Sequence, residues 1–345
     1  MKSMNKKAKT ALLVTAGIGA ALGGTALVAG LAYTEIMTSV IARRKNRATD
    51  ALVAAVSKHP PQPLDESIVQ LSRDVRELPM EAVEIRSQDR YVLRGRWYPA
   101  ENAKRTVILA HGWHSRWYVD FSASTPFLHE SGCNLLLIDQ RCHGDSGGDL
   151  IGYGVCERND ILSWLEYVEA NHGGLPVYLC GLSMGAATVL MAAALPIEDR
   201  VCGIIADSAY ANPNDVIRHT LKKNVGPLAS PTLAAVNLNC KRRGKFSFGD
   251  ASPVKAMKQN KTIPCLFIHG DADTFVPCEM GMKNYTACKA PKELLVVPDA
   301  DHGMSFVVSP EAYKKKVLDF FTAYDPPAPP TRRKCLFGHR KGTNS

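Results

Sequence analysis

Period-two alternation marks the start of the main folded region. Ala82–Arg86 and Tyr91–Tyr98 alternate apolar and polar positions across a turn at Gln88-Asp89-Arg90, the pattern of a hairpin with one solvated face. Beyond it come short runs that are apolar throughout, at Thr106–Ala110, Asn134–Ile138, Val177–Cys180, Val201–Ala206, Pro264–Ile268 and Glu293–Val297. Helical stretches separate most of them, near Trp117–Glu130, Cys156–Asn171, Met184–Ala194, Glu279–Cys288 and Pro310–Tyr324. Continuous apolar strands alternating with helices predict an α/β domain with a mostly parallel central sheet and helices on both faces. The connection from Ala206 to Pro264 is too long for a simple crossover and holds expected helices near Pro213–Lys223 and Leu228–Asn239. It reads as a short helical cap, about residues 207–262, at the carboxyl edge of the sheet, where such insertions commonly cover a site.

Upstream the pattern is different. From Ala11 to Tyr33 no residue is charged. As a helix this stretch of about 23 residues would span roughly 34 Å, enough for a hydrocarbon core of about 30 Å. Apolar positions continue through Ile36, Met37, Val40 and Ile41, longer than the apolar region of a cleaved signal peptide. Residues 1–41 are therefore expected to be a single-pass N-terminal transmembrane anchor, with the lipid bilayer as partner of residues 11–33. Basic residues crowd both flanks, so the side of the membrane is left open. Residues 42–79, broken by Pro60, Pro61 and Pro63, read as a charged, partly helical linker, and 326–345 as a basic, Pro-rich tail.

Composition narrows this picture only a little. The 345-residue chain is 46% hydrophobic, enough for a substantial core, and carries a net charge of +9. Much of the excess sits beside the apolar segment and in the tail, with no aromatic platform interleaved, so no nucleic-acid partner is expected. Attraction to anionic lipid, about 1 kcal/mol per basic residue near the surface, suits the distribution better. The ten cysteines form no Cys-x-x-Cys pair, and neither a metal nor an organic cofactor is expected.

The candidate chemistry centres on Gly181-Leu182-Ser183-Met184-Gly185. Gly-x-Ser-x-Gly occurs by chance in roughly one chain of this length in ten. Here, however, it joins an apolar strand to a small-residue helix, the setting of a nucleophile elbow that lifts the serine hydroxyl above a sheet. A serine needs a base, and the base needs an orienting group. Two later strands end in loops that offer both. His269-Gly270-Asp271-Ala272-Asp273 follows Ile268, and Pro298-Asp299-Ala300-Asp301-His302-Gly303 follows Val297.

With His111-Gly112-Trp113 after one strand and Asp139-Gln140-Arg141-Cys142-His143-Gly144-Asp145-Ser146 after the next, the chain from about Met80 to Tyr324 resembles the serine hydrolases of the α/β-hydrolase superfamily. More narrowly, it resembles bacterial membrane-anchored hydrolases with a short cap. The resemblance implies an α/β-hydrolase domain over 80–325. It makes Ser183 the nucleophile, His302 the general base and then acid, and Asp273 the orienting carboxylate. The backbone N–H groups of Trp113 and Met184 become the oxyanion hole. Asp271 and Asp207 compete for the acid role, and Asp271 is the residue that would brace the turn. Cys142 stands where the family pattern has glycine, so a positive φ there would be strained. His111, His143 and His269 are expected to be structural hydrogen-bonders and His114 a solvated loop residue near the entrance. Lys241, Arg242, Arg243 and Lys245 offer either a steering patch for an anionic substrate or a solvated surface.

The expected function is hydrolysis of a carboxylic ester of a small molecule through an acyl-enzyme. Thioesterase, acyltransferase or peptidase chemistry could use the same triad. A non-catalytic binding protein of this fold would normally have lost a triad member, and none is missing here.

Overall fold

A computed structural model describes residues 29–44 and 66–327. Eight strands form one sheet: β1 (Glu81–Arg86), β2 (Val92–Tyr98), β3 (Arg105–Ala110), β4 (Cys133–Ile138), β5 (Val177–Leu182), β6 (Gly203–Asp207), β7 (Cys265–Gly270) and β8 (Lys292–Val297). Their order across the sheet is β1-β2-β4-β3-β5-β6-β7-β8. Strand β2 is antiparallel to both its neighbours, β1 and β4, with Val83 opposite Gly95, and every pairing from β4 to β8 is parallel. The predicted α/β architecture is the one observed. Buried and exposed positions alternate along β2, whereas every residue of β3, β4, β6 and β7 is buried. That is the difference expected between a strand with one wet face and strands covered on both.

Twelve α-helices occur among the described residues. They are α1 (29–42), α2 (Glu66–Arg76), α3 (Trp117–Asp120), α4 (Ser124–Glu130), α5 (Glu157–His172), α6 (Met184–Ala192), α7 (Pro213–Val225), α8 (Ala229–Gly244), α9 (Pro253–Gln259), α10 (Cys278–Ala287), α11 (Ser305–Val308) and α12 (Pro310–Tyr324). The helix expected over Trp117–Glu130 is split in two at Phe121–Ala123. Helix α9 has no counterpart among the helices expected from sequence, although Ser252-Pro253 is a start signal. Ser252 Oγ accepts from Lys255 N at 3.3 Å and proline occupies the first turn.

The two sheet faces carry separate cores. Ile108, Leu136, Trp164 and Leu190 fill one, and Val107, Leu135, Tyr178 and Phe320 the other. A third apolar cluster lies off the sheet, where Met37 and Ile41 of α1 meet Leu233, Val236, Tyr153 and Phe248. Two segments upstream of residue 80 thus pack on the domain, α1 through this cluster and α2 through Ile68 and Val75. Among the described residues no helix is long and apolar enough to cross a membrane. The uncharged stretch 11–33 lies mostly outside the described residues, as does most of the tail 326–345.

Strand β5 and helix α6 approach so closely that their glycines have no substitute. A Cβ on Gly185 would overlap the Ala110 carbonyl oxygen, and one on Gly181 would overlap the Gly185 carbonyl. Both obstacles are backbone, which cannot rotate away. Gly185→Ala is expected to cost roughly 3 kcal/mol or more, the upper end for overpacking. A urea midpoint within error of the parent would show that the helix can move off the sheet.

Candidate active site

The turn between β5 and α6 carries Ser183 in a conformation few non-glycine residues adopt, with φ 57° and ψ −114°. Two backbone bonds hold it there. Ser183 N donates to Asp207 O at 2.8 Å, and Ser183 O accepts from Ala187 N at 3.0 Å. A left-handed φ at a non-glycine residue costs about 1–3 kcal/mol and persists only where its surroundings over-determine it. The turn projects the Ser183 side chain away from the strand into a cavity of about 590 Å³.

His302 and Asp273 meet Ser183 there. The Ser183 hydroxyl donates to His302 Nε2 at 2.9 Å, and His302 Nδ1 donates to Asp273 Oδ2 at 2.7 Å. An ionised carboxylate only accepts, so Asp273 fixes the proton on Nδ1 and leaves Nε2 free to accept. Burial alone would push the Asp273 carboxyl up. Hydrogen bonds from His269 and His302, the His302 charge and the Val276 amide outweigh it and hold the group well below the usual carboxylate range. Asp273 Oδ1 accepts from the amides of Phe275 at 2.9 Å and Val276 at 2.7 Å, so the loop itself stabilises the anion.

The competing carboxylates are placed elsewhere. Asp271 Oδ1 accepts from Asp299 N at 2.7 Å and ties the two loops together. Asp207 is fully buried beneath the site, accepting from Ser208 and Ser305 hydroxyls, and burial pushes it up to about 6. His302 is thus oriented by Asp273 and by neither alternative.

The loop after β3 brings Trp113 to the cavity wall. The backbone N–H groups of Trp113 and Met184 take no acceptor among the described residues, and Met184 begins α6, where helix amides lack intrahelical partners. The neighbours of Trp113 are tied down. Gly112 N donates to Asp120 Oδ2 at 2.5 Å, the Ser115 hydroxyl donates to Asp120 Oδ1, and His114 N donates to His143 Nε2 at 2.9 Å. Asp120 was not anticipated from sequence. It carries no motif, and its proximity depends on the way residues 112–116 turn back onto α3.

The remaining histidines are framework. His111 accepts from Gln140 N at 3.1 Å, and His143 bonds the Arg141 carbonyl at 2.8 Å; burial lowers the pKa of both, that of His111 to about 4. His269 Nε2 lies 2.8 Å from Val276 O and 3.3 Å from Asp273 Oδ2, bracing the acid loop. His114, expected to be a solvated loop residue, is instead half-buried, stacked on Trp113 with ring centroids 4.0 Å apart and bonded through Nε2 to Arg43 O at 2.8 Å. Cys142 does adopt φ 61°, the strained conformation foreseen for that position. Its loop is pinned by buried Arg141, which is bidentate to Asp160 at 2.6 and 2.7 Å.

The cavity at Ser183 is walled by Ile68, Val119, Phe121, Leu182, Phe306 and Val307, side chains of α2, α3 and the break after it, α11 and the strand end. No residue of α7 or α8 lines it. Those helices flank the acid loop, with Lys223 Nζ 2.6 Å from Thr274 O, and support α1. Of the basic group in that insertion, Arg243 pairs with Glu35 of α1 at 2.9 Å.

The chain is similar to several known proteins. A family model described as serine aminopeptidase, S33, matches residues 101–263, and one described as TAP-like protein matches residues 226–335. The uncharacterized protein YqkD of Bacillus subtilis is 28% identical over 235 residues, covering 67% of this chain and 75% of that protein. Human monoglyceride lipase is 26% identical over 223 residues, covering 55% of this chain and 72% of the lipase. Among solved structures, the Pyrococcus furiosus esterase Pf2001 superimposes with a TM-score of 0.60 at 25% identity, covering 73% of this chain and 95% of the esterase.

The electrostatics of Asp273 have a measurable consequence. A carboxyl held below its unfolded value of about 3.9 stabilises the fold above that pH, and the contribution is lost as the pH falls through the folded value. Denaturant midpoints measured from about pH 6 to about pH 2 should therefore drop below about pH 4, and drop less steeply in Asp273→Asn. Parallel curves for parent and variant would show that Asp273 is not held ionised.

Proposed function

Because this chain belongs to the α/β-hydrolase superfamily, we propose that it is a serine hydrolase that cleaves carboxylic esters of apolar acyl groups through an acyl-enzyme. The observation that carries the reading is the continuous relay from Ser183 Oγ through His302 to Asp273, with separations of 2.9 and 2.7 Å. His302 Nε2 takes the Ser183 proton as Oγ attacks the ester carbonyl, and the imidazolium is stabilised by Asp273. The oxyanion that forms is received by the N–H groups of Trp113 and Met184, each such donor being worth about 3–4 kcal/mol in the transition state. His302 returns the proton to the departing alkoxide, releasing the alcohol. Water then enters and gives a proton to His302 as it attacks the acyl carbonyl, and His302 returns that proton to Ser183 Oγ as the carboxylic acid departs.

The ester assignment rests on the cavity together with the relatives. Val119, Phe121, Phe306 and Val307 offer a carbon chain an apolar wall, and burying each methylene there contributes about 0.8 kcal/mol. An esterase and a monoglyceride lipase among the similar proteins point the same way. We place the protein at a membrane through residues 11–33. The support is their lack of charge, together with the first turns of α1, where Leu31 and Tyr33 stand exposed, 54% and 37%, on an apolar segment.

Four outcomes test this reading. Ser183→Ala should abolish both fluorophosphonate labelling and ester hydrolysis; equal labelling of parent and variant would remove Ser183 from the mechanism. Asp273→Asn should lower kcat by about 10⁴-fold, with Asp271→Asn close to the parent; the opposite ranking would move the acid to Asp271. Across p-nitrophenyl esters of increasing chain length, Val119→Trp should shift the optimum to shorter acyl groups, and an unchanged profile would place the acyl chain outside this cavity. Retention of the intact chain in carbonate-washed membranes checks the anchor, which a soluble mature protein beginning near Tyr33 would refute.

A further inference from the structure

We propose that the carboxyl-terminal end of helix α1, residues 41–44, is a positioning element of the oxyanion hole, holding Trp113 in place from outside the hydrolase domain. The proposal rests on the function assigned above, in which the Trp113 backbone N–H is one of two oxyanion donors.

The last turn of an α-helix leaves carbonyl groups without intrahelical donors. In α1 the loops around the active site supply the missing donors. Ile41 O accepts from the Trp113 indole N–H at 3.0 Å and from the Tyr153 hydroxyl at 3.2 Å. Ala42 O accepts from Ile151 N at 2.7 Å, and Arg43 O accepts from His114 Nε2 at 2.8 Å. The Arg44 guanidinium donates to the carbonyls of Gly144 and Ser146. One helix end is thereby joined to two separate loops, those after β3 and after β4, and Trp113 and His114 are both bound to it through their side chains.

The helix cannot slide along its axis to relieve these contacts. Met37, Thr38, Ile41 and Ala42 are buried against the insertion. Asn239 Nδ2 donates to Glu35 Oε1 and to Thr38 Oγ1, each at 3.0 Å, and the Tyr33 and Thr232 hydroxyls bond at 2.7 Å. Trp113 is therefore fixed on two sides. Asp120 grips the chain just before and just after it, and α1 grips its ring. What remains unengaged is the backbone N–H, the donor assigned to the oxyanion above. Oxyanion donors act only when already aligned, and a displacement of about 1 Å costs roughly a hundredfold in rate.

The test uses the full-length chain in detergent micelles with a soluble aryl ester and a trifluoromethyl ketone, which adds to the serine as a tetrahedral mimic. Trp113→Phe keeps the backbone N–H and an aromatic ring but loses the bond to Ile41 O. Asn239→Asp sets a second carboxylate against Glu35 and loosens α1 without touching the loop. Each is expected to lower kcat by about tenfold to a hundredfold with KM changed less than about twofold, and to weaken the ketone in proportion to kcat/KM. The acid limb of the pH–rate profile should stay in place, since His302 and Asp273 are untouched, and combining the two substitutions should cost little more than either alone. Unchanged kcat in both variants, or lowered kcat with ketone affinity intact, would overturn the proposal. If Trp113→Phe does not fold, Asn239→Asp carries the test. Full activity in Ser183→Ala would instead refute the underlying function.

Discussion

The close approach of α6 to the sheet is the constraint on which the site depends. Gly181 and Gly185 bring the helix axis near enough that the chain must reverse at a single residue, and that residue is Ser183 at φ 57°. The strain is local, but its restraint is not. The Ser183 amide is held by the end of β6, and the obstacle to a side chain at Gly185 is the end of β3. Ser183 is therefore set by three adjacent parallel strands rather than by its own loop. A parallel sheet brings the carboxyl ends of its strands to one edge, which is why His302, 119 residues away in sequence, can lie 2.9 Å from Ser183.

Around His302 the fold separates carboxyl groups by environment. Asp273 receives two backbone amides and two histidines and is held ionised. Asp207 and Asp120 lie close enough to feel the same imidazole, yet burial pushes both up. Burial raises all three, and at Asp273 the two histidines and the loop amides outweigh it, which they do not at the other two. Asp120 gains a different use from its burial. It accepts from Gly112 and Ser115 and so shapes the loop that presents Trp113.

Much of this was legible in the sequence because it depends on local pattern. Continuous apolar runs located the strands of the parallel sheet. The short period of β1–β2 marked the hairpin, and the loops carrying Asp273 and His302 stood out by their position directly after apolar strands. Preference for Asp273 over Asp271 came from the family pattern; His302 Nδ1 lies 2.7 Å from Asp273 Oδ2. Asp120, His114 and the end of α1 were not legible. Their roles arise from pairings such as Trp113 with Ile41, 72 residues apart, or Arg44 with Ser146, 102 apart, for which no spacing rule exists. What the helices of the insertion cover was not legible for a related reason. Its length predicted helices, but the surface they cover is decided by tertiary packing, and that surface is α1 rather than the cavity at Ser183.

That placement changes how the upstream chain should be understood. A tether that only held a domain near a bilayer would need neither a buried face nor hydrogen bonds to the catalytic loops. Helix α1 has both, with Thr38 and Ala42 fully buried and its last carbonyls capped by the loops themselves. The interaction is reciprocal. The loops satisfy a helix end that would otherwise leave polar groups unpaired away from water, and the helix end limits the motion of the loops. The insertion between β6 and β7 then acts as a clamp. It buries the apolar side of α1, and Asn239 and Arg243 fix the register through Glu35 and Thr38. With the insertion committed to that task, the cavity at Ser183 opens between α2, α3 and α11, and it can be filled without displacing α1.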